Sequence, residues 1–288
     1  MSQPATPVST VLITGASTGI GAACARELDR RGFRVFAGVR SDAAAQDLRA
    51  NASSRLTPVR IDVTDTALIA AAAKTVGEAV GDAGLWGLVN NAGIAVPGPL
   101  ELVPLEAWRR QLEVNVLGQV AVTQAFLPLL RKAAGRIVNI SSVSGGLSAP
   151  YTGPYAASKH AIEAITDALR LELRPWSIRV SAVEPGPIDT PIWTKSTAVT
   201  DALPAQAPAE ITALYEQRLA LICEAIAERA RSAAPVESVV RAVVHALTAK
   251  NPKTRYLLSW DGWITFQGVR MLPDRLRDWM VRKALGLP

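Results

Sequence analysis

Short apolar runs rich in β-branched residues alternate along this chain with alanine- and leucine-rich segments of helical length. The apolar runs are 10–13, 34–39, 57–61, 85–89, 136–140, 177–183 and 254–259, and the helical segments include 21–31, 66–80, 105–132, 155–174 and 235–250. This rhythm is typical of a parallel sheet covered by helices on both faces. Several runs lack polar alternation, as expected for strands buried on both sides. We therefore predict an α/β fold.

The rhythm is interrupted once, after the run that ends at Val183. Residues 184–209 contain five prolines, and no clear strand or helix is predicted before Glu210. Long irregular segments inside compact domains usually have a function. Because a further helix and strand follow, we interpret residues 187–234 as an excursion over a ligand site, within a single domain that spans residues 1–288.

Composition excludes several classes of function. With 49% hydrophobic residues, no secretory signal and no apolar run of about 18 residues, the chain is expected to be cytoplasmic. Cys24 and Cys223 lie far apart, which favours a reducing compartment over a disulfide framework. No zinc-like Cys/His spacing and no basic-aromatic pattern occurs, so neither a metal nor a nucleic-acid partner is predicted. A basic membrane- or nucleic-acid-binding module would rest on the net charge of +6 alone.

Three glycines occur within the eight residues TGASTGIG, between the apolar run that ends at Ile13 and a run of good helix formers. Glycine is disfavoured inside strands and helices, so the cluster needs a positive reason. A glycine-rich turn that opens a helix lets backbone N–H groups approach a pyrophosphate. Gly15, Gly19 and Gly21 are therefore candidates for dinucleotide binding. Their spacing departs from the commoner Gly-x-Gly-x-x-Gly fingerprint, and an ordinary glycine-rich turn is the alternative.

The end of the second apolar run bears on the type of cofactor. An acidic residue there would bind the ribose hydroxyls of NAD. This chain instead has Val39 followed by Arg40. A guanidinium can bind two oxygens of a 2′-phosphate. We therefore favour NADP(H) over NAD(H), and the alternative is that Arg40 is a solvated surface residue.

Ser142, Tyr155 and Lys159 form the candidate catalytic group. If Tyr155 starts a helix, Lys159 lies one turn later on the same face. An ammonium about 5 Å from the phenol would lower its pKa by about two units. Such a phenol can exchange a proton with an alcohol or carbonyl oxygen, and Ser142 could hydrogen-bond the same oxygen. Taken alone, a Tyr-x-x-x-Lys pair is also common on protein surfaces, where it has no catalytic role.

Five separated motifs together resemble the short-chain dehydrogenase/reductase family over nearly the whole chain. They are TGASTGIG, Asp62-Val63, Asn90-Asn91-Ala92-Gly93, Ser142 with Tyr155 and Lys159, and Pro185-Gly186. The resemblance implies a Rossmann-like doubly wound sheet of seven parallel strands, an NAD or NADP cofactor, and hydride transfer to or from a substrate carbon. A cofactor-binding sensor or scaffold protein without turnover is the alternative, and the intact catalytic set argues against it. Epimerases and dehydratases share Tyr-x-x-x-Lys but usually differ in glycine spacing.

The resemblance also implies roles for individual residues. Tyr155 is the acid/base, Lys159 lowers its pKa and binds the nicotinamide ribose, and Ser142 positions the substrate oxygen. Asn115 matches the fourth catalytic residue and implies a water-linked proton relay, whereas the sequence alone indicates a structural polar residue. The remaining implied cofactor contacts are Gly15, Ser17, Ile20 and Gly21 at the pyrophosphate, Asp62 and Val63 at the adenine, Asn91, Ala92 and Gly93 near the adjacent ribose, and Pro185, Gly186, Ile188 and Thr190 at the nicotinamide end.

Stretches within 28–37, 172–176, 184–186 and 190–193 resemble the branch of retinol and hydroxysteroid dehydrogenases. The predicted substrate is therefore a lipophilic alcohol or carbonyl compound. The excursion supplies residues suited to an apolar pocket, although a helix pair packed on the sheet is the alternative. These residues are Ile188, Ile192, Trp193, Ile211, Leu214, Tyr215 and Leu219.

The C-terminal segment 270–288 is basic and amphipathic. Such a segment can lie on a membrane surface. We expect it instead to pack against the protein's own core or a second subunit. The family resemblance implies a homodimer or homotetramer formed through the helices that carry Asn115 and Tyr155.

Overall fold

The computed structural model describes residues 9–50, 52–203, 208–258, 268 and 271–284. Seven parallel strands form one sheet in the order β3-β2-β1-β4-β5-β6-β7. The strands are β1 (Thr10–Ile13), β2 (Arg34–Val39), β3 (Leu56–Arg60), β4 (Gly87–Asn90), β5 (Arg136–Ile140), β6 (Arg179–Pro185) and β7 (Arg255–Leu258). The predicted doubly wound parallel sheet is confirmed.

Ten α-helices are found in the described part of the chain. They are α1 (Gly19–Arg30), α2 (Asp42–Ala50), α3 (Thr66–Val80), α4 (Leu105–Leu112), α5 (Gly118–Ala133), α6 (Gly153–Glu172), α7 (Ile192–Ala202), α8 (Ala209–Arg231), α9 (Glu237–Thr248) and α10 (Asp274–Ala284). A π-helical turn, Glu113–Leu117, joins α4 to α5. Helix α2 was not predicted.

The prediction of an irregular chain up to Glu210 is wrong, because α7 occupies residues 192–202. Its prolines flank the helix instead of interrupting it. Pro191 is the residue before the first turn, and the next proline in the sequence is Pro204. A proline is tolerated at a helix start, where its missing N–H would have no intrahelical partner.

Strand β1 shows why the apolar runs do not alternate with polar residues. Val11 and Ile13 belong to the core on the face covered by α1 and α9, whereas Leu12 belongs to the core that includes Phe126 of α5. Successive side chains of a strand point to opposite faces, so a sheet covered on both sides needs apolar residues at every position. All four of these side chains are at most 1% exposed. Burial of each aliphatic side chain contributes roughly 1.5–3 kcal/mol.

The helical stretch Leu105–Ala133 is long and apolar enough to cross a membrane by length and composition. The sequence prediction named no such segment, because the stretch contains no uninterrupted run of about 18 apolar residues. However, Val122, Phe126 and Leu130 of this stretch are fully buried and contact the sheet core. We interpret it as a core helix.

The strand order reverses at β1, with β2 and β3 on one side and β4 to β7 on the other. Open parallel sheets bind ligands outside the carboxyl ends of their strands, at such a switch point. The glycine loop follows β1, and the other predicted motifs follow β2, β3, β4, β5 and β6. The topology thus brings the predicted site residues to one edge of the sheet.

Candidate active site

The glycine loop between β1 and α1 is held by its own close packing. Gly15 has φ +64°, and a Cβ there would lie 2.8 Å from the Cα of Ala92. A Cβ on Gly21 would lie 2.3 Å from the Gly15 carbonyl oxygen. Neither position accepts a side chain without moving backbone atoms. The sequence prediction attributed the glycines to contact with a ligand, with an ordinary glycine-rich turn as the alternative. The structure adds that the packing of the loop itself requires Gly15 and Gly21.

The N-terminus of α1 has the features of an anion-binding site. Thr18, the residue before the helix, makes no side-chain capping bond, and the first turn contains no acidic residue. The first backbone N–H groups of a helix lack intrahelical partners and carry the positive end of its dipole. These residues therefore fit the pyrophosphate of a dinucleotide.

Asn91 connects the end of β4 to the glycine loop. Its side-chain amide donates to the carbonyl oxygens of Thr14 (2.9 Å) and Gly15 (3.0 Å). The N–H groups of Asn91 and Ala92 donate to Thr14 Oγ1, at 3.0 and 3.1 Å. The side-chain amide and the backbone N–H of Asn91 both donate inside the protein, which leaves its Oδ1 and backbone carbonyl for the predicted ribose contact. Asn91 thus shapes the loop that the sequence assigned to the cofactor.

Arg40 and Asp62 lie near each other at the predicted adenosine end. Asp62 Oδ1 accepts hydrogen bonds from the backbone N–H (3.0 Å) and hydroxyl (2.8 Å) of Thr64. Burial would raise the pKa of Asp62, but these bonds and the charges of Arg40 and Arg110 outweigh it and hold the pKa below its usual value. Arg40 is exposed, so its guanidinium is accessible to a ligand.

The segment after β6 returns to the start of α1. The Gly186 N–H donates to the Leu258 carbonyl at 3.0 Å, which fixes the end of β6 against β7. The Trp193 indole donates to the Ile188 carbonyl at 2.7 Å. A Cβ on Gly19 would lie 3.2 Å from the Thr190 side chain. The residues predicted for the nicotinamide end therefore adjoin the glycine loop.

Tyr155 and Lys159 lie one turn apart on α6, beside Ser142 at the end of β5. Lys159 is 5% exposed, and its Nζ donates to the Ile140 carbonyl at 2.8 Å and lies 5.7 Å from the centre of the Tyr155 ring. The Ser142 hydroxyl donates to the Pro185 carbonyl at 3.4 Å and lies close enough to the phenol to lower the pKa of Tyr155. Ser142 also accepts from the Ser144 N–H at 3.1 Å. The structure thus brings the three predicted catalytic residues together.

The predicted lowering of the Tyr155 pKa by about two units is wrong for this structure. Burial raises the pKa of Tyr155, and the hydrogen bond with Ser142 offsets only part of this effect. Burial likewise lowers the pKa of Lys159 to about 8, while the Glu163 carboxylate acts in the opposite direction. Desolvation disfavours the charged form of each group and is the largest cause of both shifts.

Asn115 lies in the π-helical turn and is fully buried. Its Oδ1 accepts from the Ile94 N–H (2.8 Å), and its Nδ2 donates to the Ile94 carbonyl (3.0 Å) and to Ser158 Oγ (3.1 Å). Ser158 in turn donates to the Tyr155 carbonyl at 2.7 Å. None of the contacts described for the Asn115 side chain reaches Lys159. The Asn115 side chain therefore positions α6. The water-linked proton relay implied by the family resemblance stays a prediction, and it would have to use the backbone of Asn115.

A ladder of buried polar side chains, in which Thr123, Asn90, Asn139 and Thr166 are linked by hydrogen bonds, was not predicted. Asn90 Nδ2 donates to Thr123 Oγ1 and to Asn139 Oδ1, both at 2.9 Å, and Asn139 Nδ2 donates to Thr166 Oγ1 at 2.8 Å. The ladder joins β4 and β5 to α5 and α6. Its sequence signal is an asparagine at or next to the end of two neighbouring buried strands.

Helix α8 of the excursion is hydrogen-bonded to two neighbouring loops. Tyr215 donates to Glu101 Oε2 at 2.7 Å, and Arg218 donates to the Tyr151 hydroxyl at 3.2 Å. Among the predicted pocket residues, Ile188 is buried in the sheet core, and Leu219 packs against the small cluster of Val96, Val103 and Leu203. Leu214, in contrast, is 69% exposed. The excursion therefore packs partly on the protein, as the helix-pair alternative states.

Helix α10 does not bury the apolar residues predicted to pack on the core. Leu276, Trp279 and Met280 are all exposed. Lys283 lies over the Trp279 ring, 5.2 Å from its centre. These three side chains therefore do not pack on the protein's own core, and packing against a second subunit stays a prediction.

This chain is similar to known proteins in both sequence and fold. The family described as short chain dehydrogenase matches residues 9–201. The 17-beta-hydroxysteroid dehydrogenase type 6 of Bos taurus is 40% identical over 283 residues, covering 96% of this chain and 89% of that protein. Retinol dehydrogenase 16 of Mus musculus is 41% identical over 273 residues, covering 93% and 86%.

Solved structures agree with this assignment. A short chain dehydrogenase from Burkholderia cenocepacia, in complex with NADP, has a TM-score of 0.72 at 28% identity over 98% of both chains. The 3-ketoacyl-(acyl-carrier-protein) reductase from Brucella melitensis, complexed with NADH, has a TM-score of 0.70 at 25% identity, covering 87% of this chain and 95% of that chain. The chain therefore belongs to the short-chain dehydrogenase/reductase family, in its retinol/hydroxysteroid dehydrogenase-like branch, and is an NAD(P)-dependent oxidoreductase acting on CH–OH groups.

Proposed function

We propose that this oxidoreductase interconverts alcohol and carbonyl groups of lipophilic substrates such as steroids or retinoids, with Tyr155 as the acid/base. The observation that carries the proposal is the grouping of Ser142, Tyr155 and Lys159 at the sheet edge that also bears the glycine loop. The similarity to relatives named for hydroxysteroids and for retinol supports the substrate class.

The chain's own residues would handle the proton. During carbonyl reduction, the Tyr155 hydroxyl donates a proton to the substrate oxygen, and during alcohol oxidation the phenolate accepts it. The Ser142 hydroxyl hydrogen-bonds the same oxygen and holds the reacting carbon in place. The Lys159 ammonium stabilises the phenolate, which burial otherwise disfavours. A bound nicotinamide cofactor supplies or accepts the hydride.

The preference for NADP(H) over NAD(H) is part of the proposal. Arg40 follows β2 and is exposed, and the position where an acidic residue would select NAD is occupied by Val39. A guanidinium at this point can pair with a 2′-phosphate. The neighbouring Asp62 carboxylate attracts Arg40 as well, so we expect a moderate preference and not an absolute one.

Initial rates of NADPH and NADH oxidation against a panel of carbonyl compounds test the proposal. The panel contains keto-steroids, retinal and small hydrophilic carbonyls, and we expect turnover of the lipophilic members with NADPH preferred. Tyr155→Phe should retain cofactor binding and lose activity by about 10²- to 10⁴-fold. Unchanged turnover in this variant contradicts the acid/base role. Turnover of hydrophilic carbonyls alone contradicts the substrate class.

We also propose a cytoplasmic homodimer or homotetramer that associates through the helices bearing Asn115 and Tyr155. Leu105, Leu117 and Leu171 on these helical segments are more than half exposed. Contiguous exposed apolar surface often marks an interface. Light scattering of the full chain tests the association, and a monomer contradicts it. Co-sedimentation with liposomes that disappears on deletion of residues 274–288 contradicts the cytoplasmic location.

A further inference from the structure

Four ionisable residues recur at four-residue intervals along α6: Tyr155, Lys159, Glu163 and Asp167. Each residue in such a series is a surface neighbour of the next, one helical turn away. The first two belong to the active site. The last two bind Arg255 at the start of β7, with distances of 3.0 Å from Glu163 Oε2 to Nε and 2.7 Å from Asp167 Oδ1 to Nη2. The series of ionisable residues that begins with Tyr155 and Lys159 therefore continues along α6 into an ion-pair cluster with Arg255.

Glu163 differs from Asp167 in its surroundings. The Glu163 side chain is 13% exposed and that of Asp167 is 44% exposed. Asp167 has a second cationic partner, Arg170, at 2.5 Å. Glu163 instead has one oxygen, Oε1, that is buried and has no hydrogen-bond partner among the described residues. A buried carboxylate oxygen without a partner is costly, so its presence calls for a physical reason.

The space between Glu163 and the active-site loop is narrow. A Cβ on Gly145 would lie 2.9 Å from Glu163 Cγ, 2.9 Å from Ser141 Oγ and 3.1 Å from the Lys159 carbonyl oxygen. Ser141 Oγ is also buried without a hydrogen-bond partner among the described residues. Glu163 thus packs beside Gly145, in the turn that follows Ser142, and its carboxylate is bound by Arg255.

We propose that Glu163 is a positioning residue of the active site: its carboxylate keeps the Lys159 ammonium charged. The inference rests on the role of Lys159 in the proposed function. It gives the buried Oε1 of Glu163 a reason, because a carboxylate and an ammonium on successive turns stabilise each other where water is excluded. In agreement, Glu163 raises the pKa of Lys159 against the effect of burial.

The other ionisable groups of the series on α6 and of the Arg255 cluster come from three elements. Tyr155 precedes Lys159 on α6, Glu184 lies on β6, and Arg255 lies on β7. Glu184 Oε1 is 3.2 Å from Arg255 Nε, so this carboxylate also faces the guanidinium. Arg255 therefore lies between three carboxylates, and the charge on Glu163 is only partly compensated by it.

The pH dependence of kcat/KM for the full-length enzyme and Glu163→Gln tests the inference. The amide keeps the shape of the side chain and removes its charge, so Lys159 should lose its proton at a lower pH. We expect the alkaline limb of the profile to move down by about one pH unit. At pH values above the alkaline limbs of both enzymes, kcat/KM of the variant should then be about tenfold lower. A fluorescence titration of NADPH affinity over the same pH range provides a readout independent of turnover, and it should shift in the same direction.

Asp167→Asn is the matched control, because it lies on the same helix face and shares Arg255 but has no described effect on Lys159. Its alkaline limb should coincide with that of the wild type. Glu163→Asp retains the charge, so its alkaline limb should lie close to that of the wild type. Thermal unfolding identifies variants that fail to fold.

Arg255→Gln separates an electrostatic role of Glu163 from general loosening of the helix. It removes a cation and leaves the Glu163 charge in place, so its alkaline limb should move to higher pH. An unshifted limb in Glu163→Gln, or a downward shift in Arg255→Gln, overturns the inference. Turnover that persists in Tyr155→Phe would instead overturn the proposed function, so the two failures are distinguishable.

Discussion

The cofactor side and the substrate side of the site are held in different ways. On the cofactor side, Gly15 and Gly21 lie against backbone atoms at distances that leave no room for a Cβ. On the substrate side, α8 is connected to the neighbouring loops by the hydrogen bonds of Tyr215 and Arg218, which are exposed. Apolar support for this corner includes the small cluster around Leu203, against which Leu219 of α8 packs.

This difference separates what is fixed in the molecule from what can vary. A backbone contact cannot be replaced without moving the chain, so the cofactor loop tolerates little change. Exposed hydrogen bonds contribute little because water can replace the lost partner. We therefore expect the excursion to tolerate changes of residue better than the cofactor loop does.

The largest expected effect follows from adding one carbon to the cofactor loop. Gly21→Ala would place a Cβ 2.3 Å from the Gly15 carbonyl oxygen and 2.5 Å from Asn91 Nδ2. We expect a destabilisation of about 1–3 kcal/mol, as for overpacked cores, and a loss of NADP(H) affinity of at least about 100-fold. Thermal unfolding and fluorescence titration measure the two effects.

Gly77→Ala is the matched control for this variant. Gly77 lies within α3, and its added Cβ would meet the Leu129 side chain at an ordinary 3.7 Å. Alanine is the better helix former, so this change should stabilise the protein by about 0.5–1 kcal/mol and leave cofactor affinity unchanged. Normal affinity in Gly21→Ala would show that the loop can relax and would remove the contrast between the two sides.

A smaller effect is expected at the exposed end of the cofactor side. Arg40→Gln should raise the KM for NADPH by about 10- to 100-fold, because a charge-assisted pair with the 2′-phosphate is lost. The KM for NADH, which lacks that phosphate, should remain within about twofold. Arg49→Gln, an exposed change in the last turn of α2, is the control. An equal loss with both cofactors would contradict the proposed selection by Arg40.

The sequence could predict the features that depend on local pattern and on family motifs. The strands, the glycine loop and the grouping of Tyr155 with Lys159 follow from periodicity and spacing, and the structure has them. The partners of Asn115 and Asn91 lie about twenty or more residues away, at Ile94, Ser158 and Thr14, and no local pattern specifies them.

Electrostatic environment was the least predictable property of the site. Spacing placed Lys159 next to Tyr155, but it could not show that burial would raise the pKa of the phenol and lower that of the amine. The continuation of the same spacing to Glu163 and Asp167 was visible in the sequence. Its meaning required Arg255, which lies 92 residues from Glu163 along the chain.

The smallest expected effect tests the substrate side. Tyr215→Phe removes the hydrogen bond to Glu101 and keeps the ring, so α8 should be held less firmly over the site. We expect the KM for a bulky lipophilic substrate to change by about two- to fivefold, with the KM for NADPH unaffected. Tyr151→Phe removes the acceptor of Arg218 on the neighbouring loop and should have an effect of similar size. If either variant changed cofactor affinity as strongly as substrate KM, the two sides would be mechanically coupled, and the substrate side could not vary independently of the cofactor loop.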